Sequence, residues 1–221
     1  VQTCALPISK SMRGRLILDE KSSAHQNMAV DESLLRHVKT PVLRLYGWEQ
    51  ACVSIGYFQK ASVVPAGTPF VRRYTGGGLV KHGEDLTYTL VLPADHPLTL
   101  AGTLPSYRAI HEAVASALQT SGIVCHLATT QPKKDHASCF LKPVPADVLD
   151  SQDRKLAGAA QRRSRQGCLH QGSILLPGSI PGRLREILPE HLGQALQTTW
   201  SVARYTPEEE SLAQKDRKST R

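Results

Sequence analysis

The chain has 221 residues, of which 40% are hydrophobic and 5% aromatic, and its formal net charge at pH 7 is +8. This length suits one globular domain with a substantial core and leaves little room for two domains of ordinary size. The sequence has no apolar run near the ~18 residues of a membrane-spanning helix and no signal-peptide layout at its start, so we expect a cytoplasmic protein without a membrane partner. Its basic residues do not interleave with aromatic ones, which argues against nucleic acid as the main ligand.

Both ends of the chain resemble translated sequencing-adapter sequence rather than protein. The resemblance covers VQTCALPIS at the start and DRKSTR at the finish. We therefore predict that residues 1–10 and 215–221 are non-native. These ends contain five basic residues and one acidic residue, so the remaining chain is only modestly basic. Such a charge is compatible with an acidic protein partner.

The cysteine content indicates reduced thiols in a cytosol. The five cysteines are Cys4, Cys52, Cys125, Cys139 and Cys168. Their number is odd, they include no C-x-x-C pair, and their spacing matches no zinc site, so we predict no bound metal. Each cysteine is then either a small buried hydrophobic residue or a reactive group.

Short strands and two clear helices alternate along the chain, without internal repeats. Runs rich in β-formers predict strands over residues 15–18, 42–46, 52–57, 70–74, 86–92, 123–127, 147–150, 155–161 and 168–176. One helix is predicted over 27–38, where Met28 and Leu34 share an apolar face. The clearest helix begins at Pro105 and follows a 3.6-residue apolar period up to Gly122, so we expect it to lie across the sheet.

The segment RRYTGGGLVKHG, residues 72–83, is the first candidate ligand-binding site. Consecutive glycines expose backbone N–H groups and let a ligand approach the main chain. The alternative is a tight connection or bulge between two strands. Flanking cationic and polar side chains favour the binding interpretation, and the motif is neither a P-loop nor a Rossmann phosphate cradle. The candidate residues are Arg72, Arg73, Thr75, Gly76, Gly77, Gly78 and His82. For His82 the alternative is a histidine satisfied within the core.

Five sequence blocks together resemble the signature of the lipoate-protein ligase and octanoyltransferase family. In chain order they are NMAVDESLL (27–35), LRLYGWEQACVSIGYFQ (43–59), RRYTGGGLVKHGEDLTYTLVL (72–92), SCF (138–140) and RKLAGAAQRRSRQGCLHQGSILL (154–176). They span most of residues 13–180. The resemblance implies an α+β fold, in which a curved, mixed and largely antiparallel sheet is packed with helices, as in the catalytic domain of class II biotin and lipoate ligases. We predict a single catalytic domain over residues 13–212.

The resemblance also implies chemistry through an acyl-enzyme. It assigns Cys139 as the nucleophile and Lys155 as its partner. A thiolate exchanges an acyl thioester without ATP, and a nearby ammonium group favours the thiolate over the thiol, whose pKa is ordinarily about 8.5. Lys155 can then take up and return a proton as the acceptor lysine attacks. The alternatives are a buried structural thiol for Cys139 and a solvated strand lysine for Lys155. Cys168 is the competing nucleophile, whereas Cys52 and Cys125 lie in apolar strand runs and are predicted to be core residues.

Small residues after Lys155 predict an apolar slot. The run AGAA leaves space for another molecule, and an octanoyl chain suits it. Burying about seven methylenes at ~0.8 kcal/mol each contributes roughly 5 kcal/mol. We expect Gly158 and Ala159 to line the slot, and the resemblance adds His170 and Gly172 to the substrate-binding residues.

Three functions remain open at this point. The first is a monomeric, cofactor-free octanoyltransferase, which moves an octanoyl or lipoyl group from acyl carrier protein or a lipoyl domain to a lipoyl-domain lysine of glycine cleavage H protein or a 2-oxo acid dehydrogenase E2 subunit. The second is a lipoate-protein ligase that needs ATP and magnesium, in which Lys155 contacts the adenylate while Arg73 and Gly78 hold the nucleotide. The third is a lipoyl-domain-binding protein without turnover.

Basic residues within the last block predict a docking surface. Arg162, Arg163 and Arg165 suit an acidic partner, and the alternative is a solvated strand end. The sequence departs from the family pattern in two places: the turn before Lys155 is one residue longer, and Lys81 replaces a small or aromatic residue.

Overall fold

The computed structural model describes residues 11–129 and 143–219, the last five of these by backbone alone. The strands are β1 (Met12–Ser22), β2 (Val42–Trp48), β3 (Cys52–Ile55), β4 (Phe70–Arg72), β5 (Val80–His82), β6 (Leu86–Pro93), β7 (Cys125–Leu127), β8 (Val148–Asp150), β9 (Lys155–Arg163), β10 (Gly167–Ile174) and β11 (Thr198–Val202). The helices are α1 (Ala24–Arg36), α2 (Pro97–Leu100), α3 (Thr103–Thr120), α4 (Leu184–Ala195) and α5 (Pro207–Ser219), with a short 3-10 helix at Ala61–Val63.

The described strands form one large mixed sheet and one small sheet. The large sheet has the strand order β11-β1-β2-β6-β10-β9-β8-β7. Strands β11, β1 and β2 run parallel, and the remaining neighbours in this sheet are antiparallel. The small sheet has the order β4-β3-β5. The predicted α+β class with a mixed, largely antiparallel sheet is therefore confirmed.

Helices cover both faces of the large sheet. Adjacent residues of β6 show this, because Leu90 belongs to a core cluster with α3 and α4, whereas Val91 belongs to a cluster with α1. Both side chains are fully buried. A strand with apolar neighbours on each face has a nearly continuous hydrophobic run rather than an alternating one, and TLVL in β6 has that pattern. The predicted helix across the sheet corresponds to α3.

Two helices begin earlier than their sequence pattern predicts. Helix α1 starts at Ala24 because Ser23 caps it, and the Ser23 hydroxyl accepts a hydrogen bond from the backbone N–H of Gln26 at 3.3 Å. Helix α3 starts at Thr103, which places Pro105 within the first turn. Proline is tolerated there because the N–H groups of a first turn have no partner inside the helix.

Two strands were not predicted from the sequence pattern. Strand β11 lies at the edge of the large sheet and pairs in parallel with β1, so that Met12 faces Thr198. Strand β5 pairs with β3 and thereby fixes the far end of the glycine segment. Helix α5 extends to Ser219 and packs against α1, where the Ser33 hydroxyl donates to the Glu209 carbonyl at 2.8 Å. Among the described helices, none is both long and apolar enough to cross a membrane.

Candidate active site

A cavity of about 430 Å³ lies between the central strands of the large sheet and the small sheet. Its floor follows one row of cross-strand neighbours: Tyr46 on β2 faces Thr87 on β6, which faces Ser173 on β10, which faces Gly158 on β9. The glycine segment, residues 76–78, and strands β3 and β5 form the facing wall. The volume falls within the range typical of small-molecule sites.

Lys155, the first residue of β9, lines this cavity and pairs with a buried carboxylate. Its Nζ lies 2.8 Å from Asp147 Oδ2, and the two side chains are 8% and 0% exposed. Gly158 makes this path of the lysine side chain possible, because a Cβ at that position would lie 2.0 Å from Lys155 Cε and 2.2 Å from Nζ. The cavity wall therefore carries a cation whose position depends on the Asp147 carboxylate and on the absence of a side chain at Gly158.

Asp147 is itself held by two further hydrogen bonds. The Tyr107 hydroxyl on α3 donates to Oδ1 at 2.6 Å, and the backbone N–H of Val144 donates to Oδ2 at 2.7 Å. Burial and the neighbouring Asp147 carboxylate raise the pKa of Tyr107 well above its ordinary value, so the phenol stays a donor. Tyr107 also accepts the backbone N–H of Ala159 at 3.0 Å, which ties α3 to β9 beside the lysine.

Two buried histidines lie behind this ion pair rather than in the cavity. His170 lies with Nε2 3.2 Å from the Tyr88 hydroxyl and Nδ1 3.1 Å from Gln161 Nε2. His111 Nδ1 lies 2.7 Å from the Ala146 carbonyl. Burial lowers the pKa of His111 to about 4 and that of His170 well below its ordinary value. Both rings are therefore neutral at pH 7, and His170 supports the site by packing.

The glycine segment is folded onto the guanidinium group of Arg73. Arg73 Nη2 donates to the carbonyls of Gly76 and Gly78 at 2.9 and 2.7 Å. Its Nη1 donates to the Ser54 carbonyl and hydroxyl at 2.8 and 2.7 Å. Gly77, between the two bound carbonyls, has φ +85°, a conformation that favours glycine. Arg73 thus fixes the shape of this wall, and the glycines leave main chain rather than side chains at the cavity surface.

Thr75 links the glycine segment to a buried polar network. Its hydroxyl donates to Gln171 Oε1 at 2.7 Å, and Gln171 Nε2 donates to Asp31 Oδ2 at 2.7 Å. Asp31 on α1 in turn pairs with Arg44 on β2 at 2.8 Å. A carboxylate that is fully paired can be buried, whereas an unpaired one would be costly. Thr75 therefore positions the segment relative to α1 and β10 and does not line the cavity.

His82 takes part in a Ser–His–Asp arrangement at the β3 and β5 side of the cavity. Its Nδ1 lies 2.8 Å from Asp85 Oδ2, and its Nε2 lies 2.6 Å from Ser54 Oγ. The ring stacks on Trp48 with 4.0 Å between centroids. Ser54 is fully buried and its hydroxyl also accepts a hydrogen bond from Arg73. The arrangement therefore stabilises the wall and does not present an accessible nucleophile.

The carboxylate of Asp85 is the centre of this second network. Burial alone would raise its pKa, but hydrogen bonds from His82, Ser173 and Thr87 outweigh burial and lower the pKa below its ordinary value. The hydroxyls of Ser173 and Thr87 donate to Asp85 Oδ2 at 2.7 and 2.8 Å. These two hydroxyls on the cavity floor are therefore already satisfied.

The predicted nucleophile, Cys139, lies outside the described residues. The described cysteines are all buried and unpaired: Cys52, Cys125 and Cys168. Burial raises the pKa of each thiol, to about 11 for Cys52, where the charge of Asp85 adds to the effect. Cys168 is 1% exposed and does not line the cavity. A thiol so placed has neither the thiolate character nor the access that an acyl-enzyme needs.

The predicted basic surface is only partly available for docking. Arg163 donates to acceptors at the start of α3. Arg162 lies over the ring of Tyr74, 3.6 Å from its centroid, and Arg165 is exposed. Arg72 donates to carbonyls of the loop after β3 and does not line the cavity. Arg163 therefore has a structural role, and Arg162 is half-buried and donates to the Tyr74 carbonyl at 3.2 Å, which leaves Arg165 as the exposed cation of the three.

Most of the predicted substrate-site residues meet at this cavity. Those that line it are Arg73, Gly76, Gly77, Gly78, His82, Lys155, Gly158, Ala159 and Gly172. Sequence reasoning missed Asp147 and Tyr107, although an acidic residue beside the apolar pair Val148 and Leu149 is a signal of a buried, paired carboxylate. Within residues 11–129 and 143–219, no cluster of His, Cys, Asp and Glu suits a metal ion.

Comparison with known proteins establishes the family. The family model described as the lipoyl protein ligase A/B catalytic domain matches residues 23–208 of this chain. The chain belongs to this family. The resemblance predicted from the five sequence blocks is thereby confirmed.

Individual relatives agree with this assignment. The octanoyltransferase LipM of Kyrpidia tusciae is 37% identical over 180 residues, which cover 73% of this chain and 65% of that protein. The chain thus spans less than two thirds of the length of this relative. A T. acidophilum protein assigned as a lipoate protein ligase, with bound lipoic acid, has TM-score 0.77 and 25% identity, covering 92% of this chain and 94% of its own. A lipoate-protein ligase A bound with ATP has TM-score 0.76 and 25% identity, covering 94% and 95%.

Proposed function

We propose that this chain is an octanoyltransferase that moves an acyl group from acyl carrier protein to a lysine of a lipoyl domain through a thioester on Cys139. The observation that carries the proposal is the ammonium group of Lys155, held by Asp147 at the wall of a ligand-sized cavity. The similarity to octanoyltransferase LipM supports the same reaction.

The proposed reaction proceeds by two acyl exchanges. The Cys139 thiolate attacks the carbonyl carbon of the acyl thioester, a new C–S bond forms, and the carrier thiol leaves. The amine of the acceptor lysine then attacks the Cys139 thioester, the amide bond forms, and the Cys139 thiolate is released. No oxidant, nucleotide or metal is needed, because the energy of the thioester drives the formation of the amide.

Lys155 has two roles in this scheme. Its positive charge favours the thiolate of Cys139, and it protonates the carrier thiolate as that group leaves. The neutral amine of Lys155 then takes up the proton that the acceptor amine loses as the amide forms. Cys139 precedes Val144 by five residues, and Val144 lines the same cavity and donates its N–H to Asp147. Asp147 therefore keeps the ammonium of Lys155 at the part of the cavity wall that Val144 lines.

We further propose that residues 13–212 act as a single, monomeric catalytic domain in the cytoplasm. The acceptors are the lipoyl domains of glycine cleavage H protein and 2-oxo acid dehydrogenase E2 subunits. The buried, unpaired thiols among the described residues suit a reducing compartment. The exposed cation Arg165 suits an acidic partner.

Intact-protein mass measurement tests the reaction. We expect octanoyl acyl carrier protein, without ATP, to add one octanoyl group to the chain and a lipoyl domain to remove it. The wild-type chain should carry the octanoyl group as a thioester, which hydroxylamine cleaves. The Cys139→Ser variant should not form this thioester, whereas the Cys168→Ser variant should form it as the wild type does. Labelling that requires free octanoate or lipoate with magnesium ATP, and that survives Cys139→Ser, would instead identify a ligase. If neither condition labels the chain, the remaining candidate function is that of a lipoyl-domain-binding protein without turnover.

A further inference from the structure

The cavity has a polar end and an apolar end. At the polar end, Lys155 of β9 and Tyr107 of α3 line it. At the apolar end, the lining includes Met28 of α1 with Tyr46 and Trp48 of β2, which belong to one buried hydrophobic cluster. An acyl group whose carbonyl carbon reacts near Lys155 would therefore extend its tail towards these three side chains.

The distance between the two ends matches a chain of medium length. Gly158, over which the Lys155 side chain lies, is separated from Tyr46 by three strand-to-strand steps along the floor. Adjacent strands lie about 4.8 Å apart, so this row is about 14 Å long. An extended octanoyl chain is about 9 Å long from its carbonyl to its last carbon, given C–C bonds of about 1.5 Å in a zigzag. Van der Waals contact at either end accounts for the remaining few ångströms.

The floor between the ends offers no unsatisfied polar side chain to the tail. The hydroxyls of Thr87 and Ser173 both donate to Asp85. At the apolar end, the Trp48 indole N–H donates to Thr87 at 2.7 Å, and the Tyr46 hydroxyl donates to Asp31 at 2.9 Å. Because these polar groups already have hydrogen-bond partners, packing a hydrocarbon chain against them leaves none of them unpaired and costs little free energy.

Met28 is the member of the end wall that can set the length. Tyr46 and Trp48 are fixed by the hydrogen bonds just described. Met28 on α1 makes only a weak contact of this kind, from Gln171 Nε2 to its sulfur at 3.5 Å. Its unbranched side chain is 7% exposed and fills the space between α1 and the other two side chains.

We propose that Met28 is a specificity-determining residue that limits the acyl chain to about eight carbons by closing the apolar end of the cavity. This inference rests on the proposed acyl transfer. Shortening Met28 opens space at the end of the row for further methylenes, whereas enlarging it removes the space that the last carbons of an octanoyl chain occupy.

Steady-state rates with a series of small acyl thioesters test the proposal. The probes are hexanoyl, octanoyl, decanoyl and dodecanoyl thioesters of N-acetylcysteamine, with a lipoyl domain as acceptor. For Met28→Ala we expect the ratio of kcat/KM for decanoyl to that for octanoyl to rise about 10-fold, the selectivity that a methylene or two provides in an apolar pocket. For Met28→Phe we expect octanoyl to lose about 10-fold relative to hexanoyl. Met12→Ala, at the start of β1, is the matched control and should leave both ratios unchanged.

Tryptophan fluorescence provides a readout that does not depend on turnover. Trp48 lies at the end of the cavity, and Trp200, the other tryptophan, does not line it. Octanoate should alter the Trp48 emission of the wild-type chain more than hexanoate does, and Met28→Ala should shift the strongest response to longer fatty acids. If both Met28 variants keep the wild-type order of chain lengths in rates and in fluorescence, the proposal is wrong. If fluorescence shifts as expected while no variant transfers an acyl group, the length limit stands and the proposed transferase activity fails.

Discussion

Lys155 shows how single residues position the candidate chemistry. A lysine on a strand usually extends into water, but the Lys155 side chain lies over Gly158 and ends at the Asp147 carboxylate. Tyr107 and Val144 complete the acceptor bonds of that carboxylate. The group is thus preorganised, and the reaction does not have to reorient it. Two substitutions test separately the charge that holds the Lys155 ammonium and the space that its side chain occupies.

Asp147→Asn removes the charge that holds Lys155 while keeping the size of the side chain. We expect the rate of Cys139 acylation by octanoyl acyl carrier protein to fall about 100-fold, because the ammonium loses its anchor and with it the proton transfer it provides. The rate is measured by single-turnover mass spectrometry. Asp153→Asn is the control, since Asp153 is 81% exposed. A variant that acylates at the wild-type rate would show that Asp147 does not position Lys155 for reaction.

Gly158→Ala tests the space beneath the lysine. The added methyl group would overlap Lys155 Cε, so the ammonium must move by an ångström or more. We expect transfer to fall about 100-fold, the cost of such a displacement at a reacting group. Gly182→Ala is the matched control, because a Cβ at Gly182 would meet nothing within 4 Å. Thermal unfolding of both variants separates loss of the site from loss of the fold, and equal rates in both would contradict the role of Gly158.

At the scale of elements, separate segments are tied together by buried side-chain contacts. The glycine segment is connected to β10 by Thr75 and Gln171 and to α1 by Asp31. Its carbonyls are bound by Arg73, which also holds β3. The residues of the RRYTGGG motif therefore shape a wall, and only part of the motif faces the cavity. The backbone conformation of a single residue also determines how a helix ends, and the end of α4 is an example.

Gln197 follows the C-cap of α4 with φ +49°, the left-handed conformation that glycine usually supplies at the end of a helix. We expect Gln197→Gly to raise the free energy of unfolding by about 0.5 kcal/mol, since relief of strain there exceeds the entropic cost of glycine together with the loss of the side chain's contacts. Gln194→Gly, an exposed position inside α4, should instead lower it by about 1 kcal/mol. Urea unfolding measures both, and a destabilised Gln197→Gly chain would contradict the strain argument.

At the scale of the whole molecule, the large sheet encloses polar groups that must remain neutral or paired. His111 on α3 and His170 on β10 are buried where this helix packs on the sheet, and burial keeps both neutral in the folded chain. Unfolding returns them to water, where a histidine has a pKa of about 6.5. The stability of the fold is therefore linked to pH below neutrality.

The sign of this linkage follows from proton binding. Between pH about 6.5 and about 4 the unfolded chain binds a proton at His111 that the folded chain does not, so stability falls as pH falls through this window. His111 alone accounts for about 3 kcal/mol over the window, with His170 adding to it. Urea unfolding across this range should show the slope. His111→Gln should flatten it and His25→Gln, an exposed position, should not; an unchanged slope in His111→Gln would contradict the assignment.

The sequence alone predicted those features that depend on neighbours along the chain. Periodicity located α3, turn residues marked the glycine segment, and the run of small residues after Lys155 indicated a slot. Three contacts could not be predicted from the sequence. They are the pairing of Lys155 with Asp147, the hydrogen bond from Tyr107 on α3 to that carboxylate, and the hydrogen bond from Arg73 to the glycine segment. Each of the first two joins residues from different elements, so no local pattern contains it.

By itself, the sequence determined the fold class, the family and the set of residues from which the site is drawn, because hydrophobic periodicity, glycine conformation and motif order are properties of short segments. Only the tertiary structure decided which of those residues share the cavity, which brace its walls, and which side chains form its apolar end. The physical reason is that strand order and register bring Tyr46, Thr87, Ser173 and Gly158 into one row, although they are far apart along the chain.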